Sequence, residues 1–230
     1  MIKTDGFEHY NSWGHSVSLQ ELYRRRCQRR EPEMTCAAQA ADLLAPLAVN
    51  GKTILDVGCG SGYFFHSLKN RNIPLEYYGV DATASLIKIG QEELPSYGLR
   101  ADHLQSAQIE DLIGKADFVL CMNVLTYLGN FHAPLARILD IAETNVILRE
   151  SLSDIADYAF VSDDQLDEGM KLNVHINTYN RKDVINFIQA RGFDVTEMQD
   201  IHSAGQPEYF LGRAHHWRFL IATKNYSFAG

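Results

Sequence analysis

The sequence predicts an α/β protein built on a mostly parallel sheet of seven strands, with an antiparallel edge strand and helices on both faces. After Gly51, short apolar runs alternate with segments of helical spacing, which is typical of strand–helix units. The runs are largely apolar throughout, as expected of strands that are buried on both faces. No convincing helix joins the last two strands, so we expect them to pair antiparallel at one edge.

Each element is predicted from its own run of residues. In chain order, the predicted strands are Thr53–Val57, Glu76–Val80, His103–Ser106, Phe118–Met122, Asn145–Arg149, Phe193–Ile201 and Trp217–Thr223. The predicted helices between them are Gly62–Asn70, Ser85–Tyr97, Ala133–Ala142 and Arg181–Arg191. Two more helices are expected within residues 18–48, because Glu31-Pro32 interrupts a stretch of helical spacing.

Two regions do not follow this alternation. Residues 1–48 hold a start rich in aromatic residues and His, followed by the two helices, and residues 150–180 form a polar, acidic segment after the fifth strand. Ligands of open α/β sheets lie beyond the carboxyl ends of the strands. We therefore expect a ligand-binding domain over residues 49–230, in which an insertion at 150–180 covers the pocket, together with an N-terminal cover segment at 1–48.

Composition and charge argue against several classes of partner. The chain has 230 residues, 46% of them hydrophobic, and a net charge of −8, which argues against nucleic acid as a partner. The four cysteines form no C-x-x-C pair and no zinc spacing with His, so we expect free thiols and no metal. No apolar run is long enough to span a membrane, and no signal core precedes the domain, so a cytoplasmic protein with no membrane partner is expected. No feature specifies an oligomeric state.

A glycine loop follows the first strand in I-L-D-V-G-C-G-S-G-Y (54–63). Gly58, Gly60 and Gly62 permit a sharp turn and close approach of a ligand to the backbone. The dinucleotide fingerprint requires a sixth-position glycine where this chain has Tyr63. Asp56 would also repel a pyrophosphate and would attract a ligand with positive charge.

A second acid, Asp81, ends the second strand in Y-Y-G-V-D, 19 residues after Gly62. An acid at that point typically binds the hydroxyl groups of a ribose. The ligand is thus expected to contain a ribose and positive charge but no pyrophosphate. S-adenosylmethionine (SAM) meets these conditions, since it carries an adenosine, a sulfonium and an amino group.

The stretches I-L-D-V-G-C-G-S-G-Y-F and Y-Y-G-V-D-A-T resemble the class I SAM-dependent methyltransferases of the small-molecule type. The resemblance implies a Rossmann-like methyltransferase fold, SAM as the cofactor and S-adenosylhomocysteine (SAH) as its product. It implies that the methionine portion lies on Asp56 and the Gly58-Cys59-Gly60 loop. It further implies that Asp81 binds the ribose and that Ala82 lies beside the adenine.

Two further motifs complete the predicted cofactor site. The third strand runs into Q-S-A-Q-I-E-D-L, where the family usually has an acid, so Gln105, Ser106 or Ala107 is expected to hold the adenine edge through its side chain or backbone. The fourth strand, D-F-V-L-C-M-N-V-L-T-Y-L, resembles the family pattern. By that resemblance, Cys121, Met122 and Asn123 line the methionine and methyl region.

The acceptor site has weaker candidates. Tyr10 and Trp13 are predicted to close over the cofactor, or else to anchor the N-terminal segment. His15 is a candidate base, with a packing role as its alternative. Arg149 could hold an anionic group and Glu150 accept a proton, the alternative being a salt bridge.

The predicted function is methyl transfer to an oxygen or nitrogen of a small molecule, such as a metabolite or sugar precursor. One alternative is a tRNA-modifying enzyme, because the fourth-strand motif loosely resembles the tRNA wobble-uridine carboxymethyl transferases. The arginine run 23–30 would be its RNA contact, unless it is a solvated helix face paired with acids. The other alternative is a non-catalytic, cofactor-binding regulatory module.

Overall fold

A computed structural model describes residues 12–163, 167 and 172–228. The strands are β1 (Lys52–Val57), β2 (Leu75–Asp81), β3 (Leu104–Ser106), β4 (Ala116–Met122), β5 (Ala142–Ser153), β6 (Asp157–Asp163), β7 (Leu172–Asn180), β8 (Phe193–Gln199), β9 (Glu208–Phe210), β10 (Arg213–His215) and β11 (Trp217–Lys224). The α-helices are α1 (Ser12–His15), α2 (Val17–Cys27), α3 (Thr35–Leu44), α4 (Phe65–Asn70), α5 (Ala84–Glu93), α6 (His132–Ile141) and α7 (Arg181–Gln189). Short 3₁₀ turns lie at Leu94–Tyr97, Ala101–His103, Ile109–Asp111, Leu125–Tyr127 and Tyr226–Phe228.

The central sheet has the order β3-β2-β1-β4-β5-β11-β8. Strands β3, β2, β1, β4 and β5 pair in parallel, whereas β11 pairs antiparallel with both β5 and β8. The mostly parallel sheet with antiparallel pairing at one edge is therefore confirmed, and β11 lies just inside the edge strand β8. The chain order reverses between β1 and β4, which opens a crevice beyond their carboxyl ends.

Helices cover both faces of the sheet, as predicted. Along β4, Phe118 and Leu120 pack into the core beneath α3, α4 and α5, while Val119 and Cys121 pack into the core beneath α6 and α7. This division follows from the two-residue period of a strand, which sends successive side chains to opposite faces. Burial on both faces explains why the strand reads as an unbroken apolar run.

The region 150–180 is built mainly as a β-hairpin. Strand β5 continues to Ser153, β6 and β7 pair antiparallel, and β7 attaches to the end of β5. Residues 173–179 of β7 alternate between polar and apolar side chains, but the tyrosine and one asparagine of the polar set are buried. The Asn177 amide donates to the Leu128 carbonyl at 2.7 Å, and the Tyr179 hydroxyl donates to the carbonyls of Leu125 and Leu128. This face supports the loop after β4 from behind instead of facing a pocket.

Helix α2 begins at Val17. Ser16 caps it, because its Oγ accepts a hydrogen bond from the Leu19 N–H at 3.2 Å. None of the helices in the described ranges is both long and apolar enough to cross a membrane. Within the same ranges, no group of three His, Cys, Asp or Glu side chains has the arrangement of a metal site.

Candidate functional site

A cavity of about 470 Å³ opens beyond the carboxyl ends of β1, β2 and β4. It is bounded by the glycine loop, by helices α1 and α2, and by the turns that follow β3 and β4. Ten of the residues predicted to bind a ligand line it: Trp13, Asp56, Gly58, Cys59, Gly60, Asp81, Ala82, Ala107, Met122 and Asn123.

The glycine loop leaves bare backbone on the cavity wall. Gly58 and Gly60 have φ values of +74° and +58°, in the left-handed region that favours glycine. A Cβ at Gly58 would lie 2.2 Å from Val124 Cγ2, and one at Gly60 would lie 2.3 Å from Tyr23 Cε1. Side chains are therefore excluded at both positions by conformation and by space.

Asp81 is fixed at the tip of β2 with both oxygens facing the loop. One oxygen accepts the Gly60 N–H at 2.8 Å, and the other accepts the Thr83 N–H at 2.7 Å. Burial raises the pKa of this carboxyl, and hydrogen bonds from the Thr83 and Gly60 N–H groups and from the Thr83 side chain counteract that rise. These three donors leave at least one lone-pair site of the carboxylate for a ligand, and a second ligand hydroxyl can displace the Thr83 hydroxyl.

Asp56 is more deeply placed, at the end of β1. Its side chain is buried, and one oxygen accepts a hydrogen bond from the Tyr77 hydroxyl at 2.8 Å. Burial raises the pKa of this carboxyl to about 7, and the nearby charge of Asp81 contributes in the same direction. A cation in the cavity would favour the ionised form of Asp56.

Aromatic residues form two walls of the cavity, and among them the sequence had pointed only to Trp13. Tyr23 and Tyr63 meet edge to face, with ring centroids 5.7 Å apart, and Arg26 lies beside both rings. On another wall, Trp13 meets Tyr127 edge to face at 4.9 Å. Tyr23 and Arg26 are three residues apart on one helix, which places them on one face; that spacing was the available signal.

Arg149 does not face the cavity, contrary to its predicted role. It is 4% exposed, its Nε donates to Asp200 at 2.7 Å, and its guanidinium stacks on Trp217 at 4.4 Å from the ring centroid. Its Nη1 donates to the side-chain oxygen of Asn123. The salt-bridge alternative is thus correct, with Asp200 as the partner, and Arg149 supports the cavity wall through Asn123.

Glu150 is also structural. Its carboxylate accepts the backbone N–H groups of Val124, Leu125 and Thr126 and the Thr126 hydroxyl, at 2.9–3.0 Å. These donors belong to the turn that follows β4, and they satisfy both oxygens. Burial raises the pKa of Glu150, and the backbone donors oppose this change. This geometry does not support the predicted role as a base, because the carboxylate is buried and its lone-pair sites are all used in holding this turn.

Three other predicted positions in the described ranges do not contribute side chains to the cavity. His15 is exposed and lies outside the cavity lining. Ser106 is exposed, and Ala107 and Gln108 form the wall in its place. Cys121 is fully buried, because its position on β4 directs it into the core under α6. Tyr10 lies outside the described residues.

The arginine run is mainly a paired surface. Arg24 contacts Glu92 and Glu93, and Arg25 contacts Glu31 at 2.7 Å. The interpretation of a helix face paired with acids holds for these two residues. Arg26 differs, because it turns towards the cavity.

The comparisons with known proteins agree with this geometry. A sequence model of the family described as "Methyltransferase domain" matches residues 27–198. A ubiquinone biosynthesis O-methyltransferase from Psychrobacter arcticus is 29% identical over 134 residues, which span 52% of this chain and about half (49%) of that protein.

Solved methyltransferases share the fold. The magnesium protoporphyrin IX methyltransferase from Synechocystis PCC 6803, with bound SAM, is 16% identical, covers 98% of this chain and 99% of its own, and has a TM-score of 0.61. An amino pentose methyltransferase from Micromonospora echinaspora, also with bound SAM, is 17% identical, covers 86% and 94%, and has a TM-score of 0.57. Because the family match covers most of the chain, from the end of α2 to β8, this protein belongs to the methyltransferase domain family.

Proposed function

We propose that the protein transfers the methyl group of SAM to an oxygen or nitrogen atom of a small molecule. The observation that carries this proposal is the pair of acids, Asp56 and Asp81, on neighbouring strand tips beside a loop where a Cβ would clash. Such a cradle suits a ligand with a ribose at one end and positive charge at the other. SAM supplies an activated methyl group on a sulfonium.

Three groups of residues bind three parts of this ligand. Asp81 accepts hydrogen bonds from the ribose hydroxyls at the lone-pair sites that its two backbone donors leave. Asp56 and the backbone of Gly58 and Gly60 hold the amino-acid portion. Ala82 and Ala107, at the ends of β2 and β3, lie beside the adenine.

In this proposed reaction, catalysis depends mainly on positioning the acceptor and the methyl group. Effective molarities of well-oriented groups reach ~10⁵ M and above, which suits an in-line displacement at a methyl group. The tyrosines of the cavity stay protonated at neutral pH, because burial raises the pKa of Tyr23 to about 12 and raises those of Tyr63 and Tyr127 as well. An acceptor that reaches its nucleophilic form without a strong protein base, such as a phenolate, a carboxylate or a neutral amine, therefore fits this site better than an aliphatic alcohol.

We also propose that residues 1–48 and 150–180 cover the site together. Asp167 accepts hydrogen bonds from the Val17 N–H at 2.5 Å and from the Ser16 hydroxyl at 3.2 Å, both at the start of α2. Helix α2 carries Tyr23, which lies against the glycine loop. This contact connects the two covering segments.

The tRNA alternative is less well supported than the small-molecule function. Its RNA contact would be the arginine run, but Arg24 and Arg25 are already paired with acids of this chain. The curated relative and the two solved structures named above are described by small-molecule substrates or pathways.

One experiment separates the candidate functions. Equilibrium dialysis with SAM measures binding, and incubation with methyl-labelled SAM and a cell extract shows where the label goes. We expect binding, with the label in the low-molecular-weight fraction. Label in ribonuclease-sensitive RNA would favour the tRNA alternative, and binding with no transfer would favour the regulatory module. Retention of NADH or ATP without SAM would overturn the cofactor assignment.

The affinity for SAH is expected to decrease as the pH is lowered below about 7. The pKa of Asp56 is raised to about 7 in the free protein, and the ammonium group of SAH favours the ionised form. Protonation of Asp56 therefore competes with binding, by up to about tenfold for each pH unit. Calorimetry between pH 6 and 8, in buffers of different ionisation enthalpy, should show proton release on binding.

Asp56→Asn is the control for this profile, because its amide oxygen can still accept the Tyr77 hydroxyl. Among the described residues that line the cavity there is no histidine to titrate in this range. Equal pH slopes for the wild type and Asp56→Asn would contradict the assignment.

A further inference from the structure

Arg26 is an arginine of the cavity wall that pairs with no acid among the residues that the structure describes. It is partly buried, and it lines both the main cavity and a smaller neighbouring one of about 190 Å³. Among the described residues that line the main cavity, the charged ones are Arg26 and three acids, Asp56, Asp81 and Glu110. Arg26 is thus the point in this lining where an anionic group is stabilised.

The neighbouring arginines of α2 and of the turn after it have side-chain partners, whereas Arg26 has no acidic partner among the described residues. Arg24 and Arg25 pair with glutamates, and Arg29 donates to the Asn70 side-chain oxygen at 2.6 Å. Arg26 forms no ion pair with any acid in the described ranges. Its charge is therefore not neutralised by these parts of the chain.

Two tyrosine rings lie against the guanidinium of Arg26. Its Cζ lies 5.2 Å from the Tyr23 ring centroid and 5.1 Å from that of Tyr63. Stacking on aromatic rings stabilises the cation and holds it in place, but it satisfies few of the five N–H donors. A planar donor set of this kind matches a carboxylate in a bidentate geometry.

We propose that Arg26 binds a carboxylate group inside the cavity, a role that rests on the proposed function. Two ligands can supply that group: the amino-acid portion of the cofactor, or the acceptor. The cofactor is the expected source, because the Tyr23 ring beside Arg26 also lies against Gly60, where the amino-acid portion is placed. Asp56 would then hold the ammonium group and Arg26 the carboxylate of one zwitterion.

The test compares two nucleosides that differ in this portion. SAH carries the amino and carboxyl groups, whereas 5′-methylthioadenosine has neither. For Arg26→Gln, calorimetry should show about a 10- to 100-fold weaker affinity for SAH and an unchanged affinity for methylthioadenosine. Arg26→Lys, which keeps the charge but loses the bidentate edge, should lose less. Arg25→Gln is the matched control, since it removes a neighbouring arginine paired with Glu31.

The other outcomes either identify which ligand supplies the carboxylate or overturn the proposal. If Arg26→Gln leaves SAH binding unchanged but the SAH-loaded protein loses affinity for benzoate, with benzyl alcohol unaffected, the carboxylate belongs to the acceptor. Equal weakening of SAH and methylthioadenosine would make Arg26 a wall residue and overturn the proposal, as would no change in any arm. Failure of the wild type to bind either nucleoside would instead refute the proposed function. Thermal melts of the free variants check that the fold is retained.

Discussion

Asp81→Ala is expected to weaken SAH binding by about 100-fold or more. Each ribose hydroxyl would donate a charge-assisted hydrogen bond to this carboxylate, and such bonds contribute about 1.5–3 kcal/mol each. Two of them account for about 3 kcal/mol at least, which is a factor of about 100 in the dissociation constant. Isothermal titration calorimetry with SAH measures the change directly.

The same substitution removes the acceptors of the Gly60 and Thr83 N–H groups. Asp81→Asn separates the two effects, because its amide oxygen can still accept one of these bonds while the charge is lost. Asp102→Ala, at an exposed aspartate, is the surface control. We expect the Asp81→Asn variant to lie between wild type and Asp81→Ala, and the control to match wild type. An unchanged SAH affinity in Asp81→Ala would show that the ribose lies elsewhere.

The features that the sequence predicts well depend on short-range patterns. The strand, the glycine loop and Asp81 follow one another within 30 residues, so their spacing in the chain determines their spacing in space. The carboxyl ends of adjacent parallel strands meet at one edge, which brings Asp56 and Asp81 into one cavity. The lining of this part of the cavity was therefore predictable from the sequence.

The charged pair at the end of β5 was misread because its partners are remote in the chain. Arg149 finds Asp200, 51 residues away, and Glu150 finds the turn at 124–126, about 25 residues away. A sequence pattern shows that a buried charge needs a partner, but it does not show which one is available. The two adjacent residues point to opposite faces of the strand, so they could not pair with each other.

Arg26 was misread for a different reason. In Y-R-R-R-C-Q-R-R, arginines occur all round the helix, so helical spacing alone does not tell which one turns inwards. The packing of α2 on α5 decides this, since Arg24 reaches the glutamates of α5 and Arg26 then faces the loop after β1. The alternation of polar and apolar residues at 173–179 is likewise visible in the sequence. The burial of its polar side chains depends on the turn after β4, which the alternation does not reveal.

Arg149→Met is expected to destabilise the fold by about 3–5 kcal/mol. The side chain is nearly inaccessible, and its loss leaves the fully buried Asp200 without a countercharge. Removing one partner of a buried ion pair typically costs this much, because the remaining charge is desolvated and unpaired. The hydrogen bond to Asn123 and the stacking on Trp217 are lost at the same time. Thermal unfolding should show a melting temperature lower by about 6–20 °C.

The double variant Arg149→Met/Asp200→Asn distinguishes a structural ion pair from a ligand-binding arginine. The amide introduced by Asp200→Asn would carry no charge and could still accept the Ser203 N–H that Asp200 accepts at 2.8 Å. If the penalty of Arg149→Met comes from an unpaired carboxylate, the double variant should recover much of the lost stability, since a buried ion pair contributes little net stability. Wild-type stability in Arg149→Met, combined with a raised KM for the acceptor, would instead mean that Arg149 holds the substrate, and the structural assignment would be wrong. The buried position of both groups, under Trp217 and away from the cavity lining, is the reason to expect the first result.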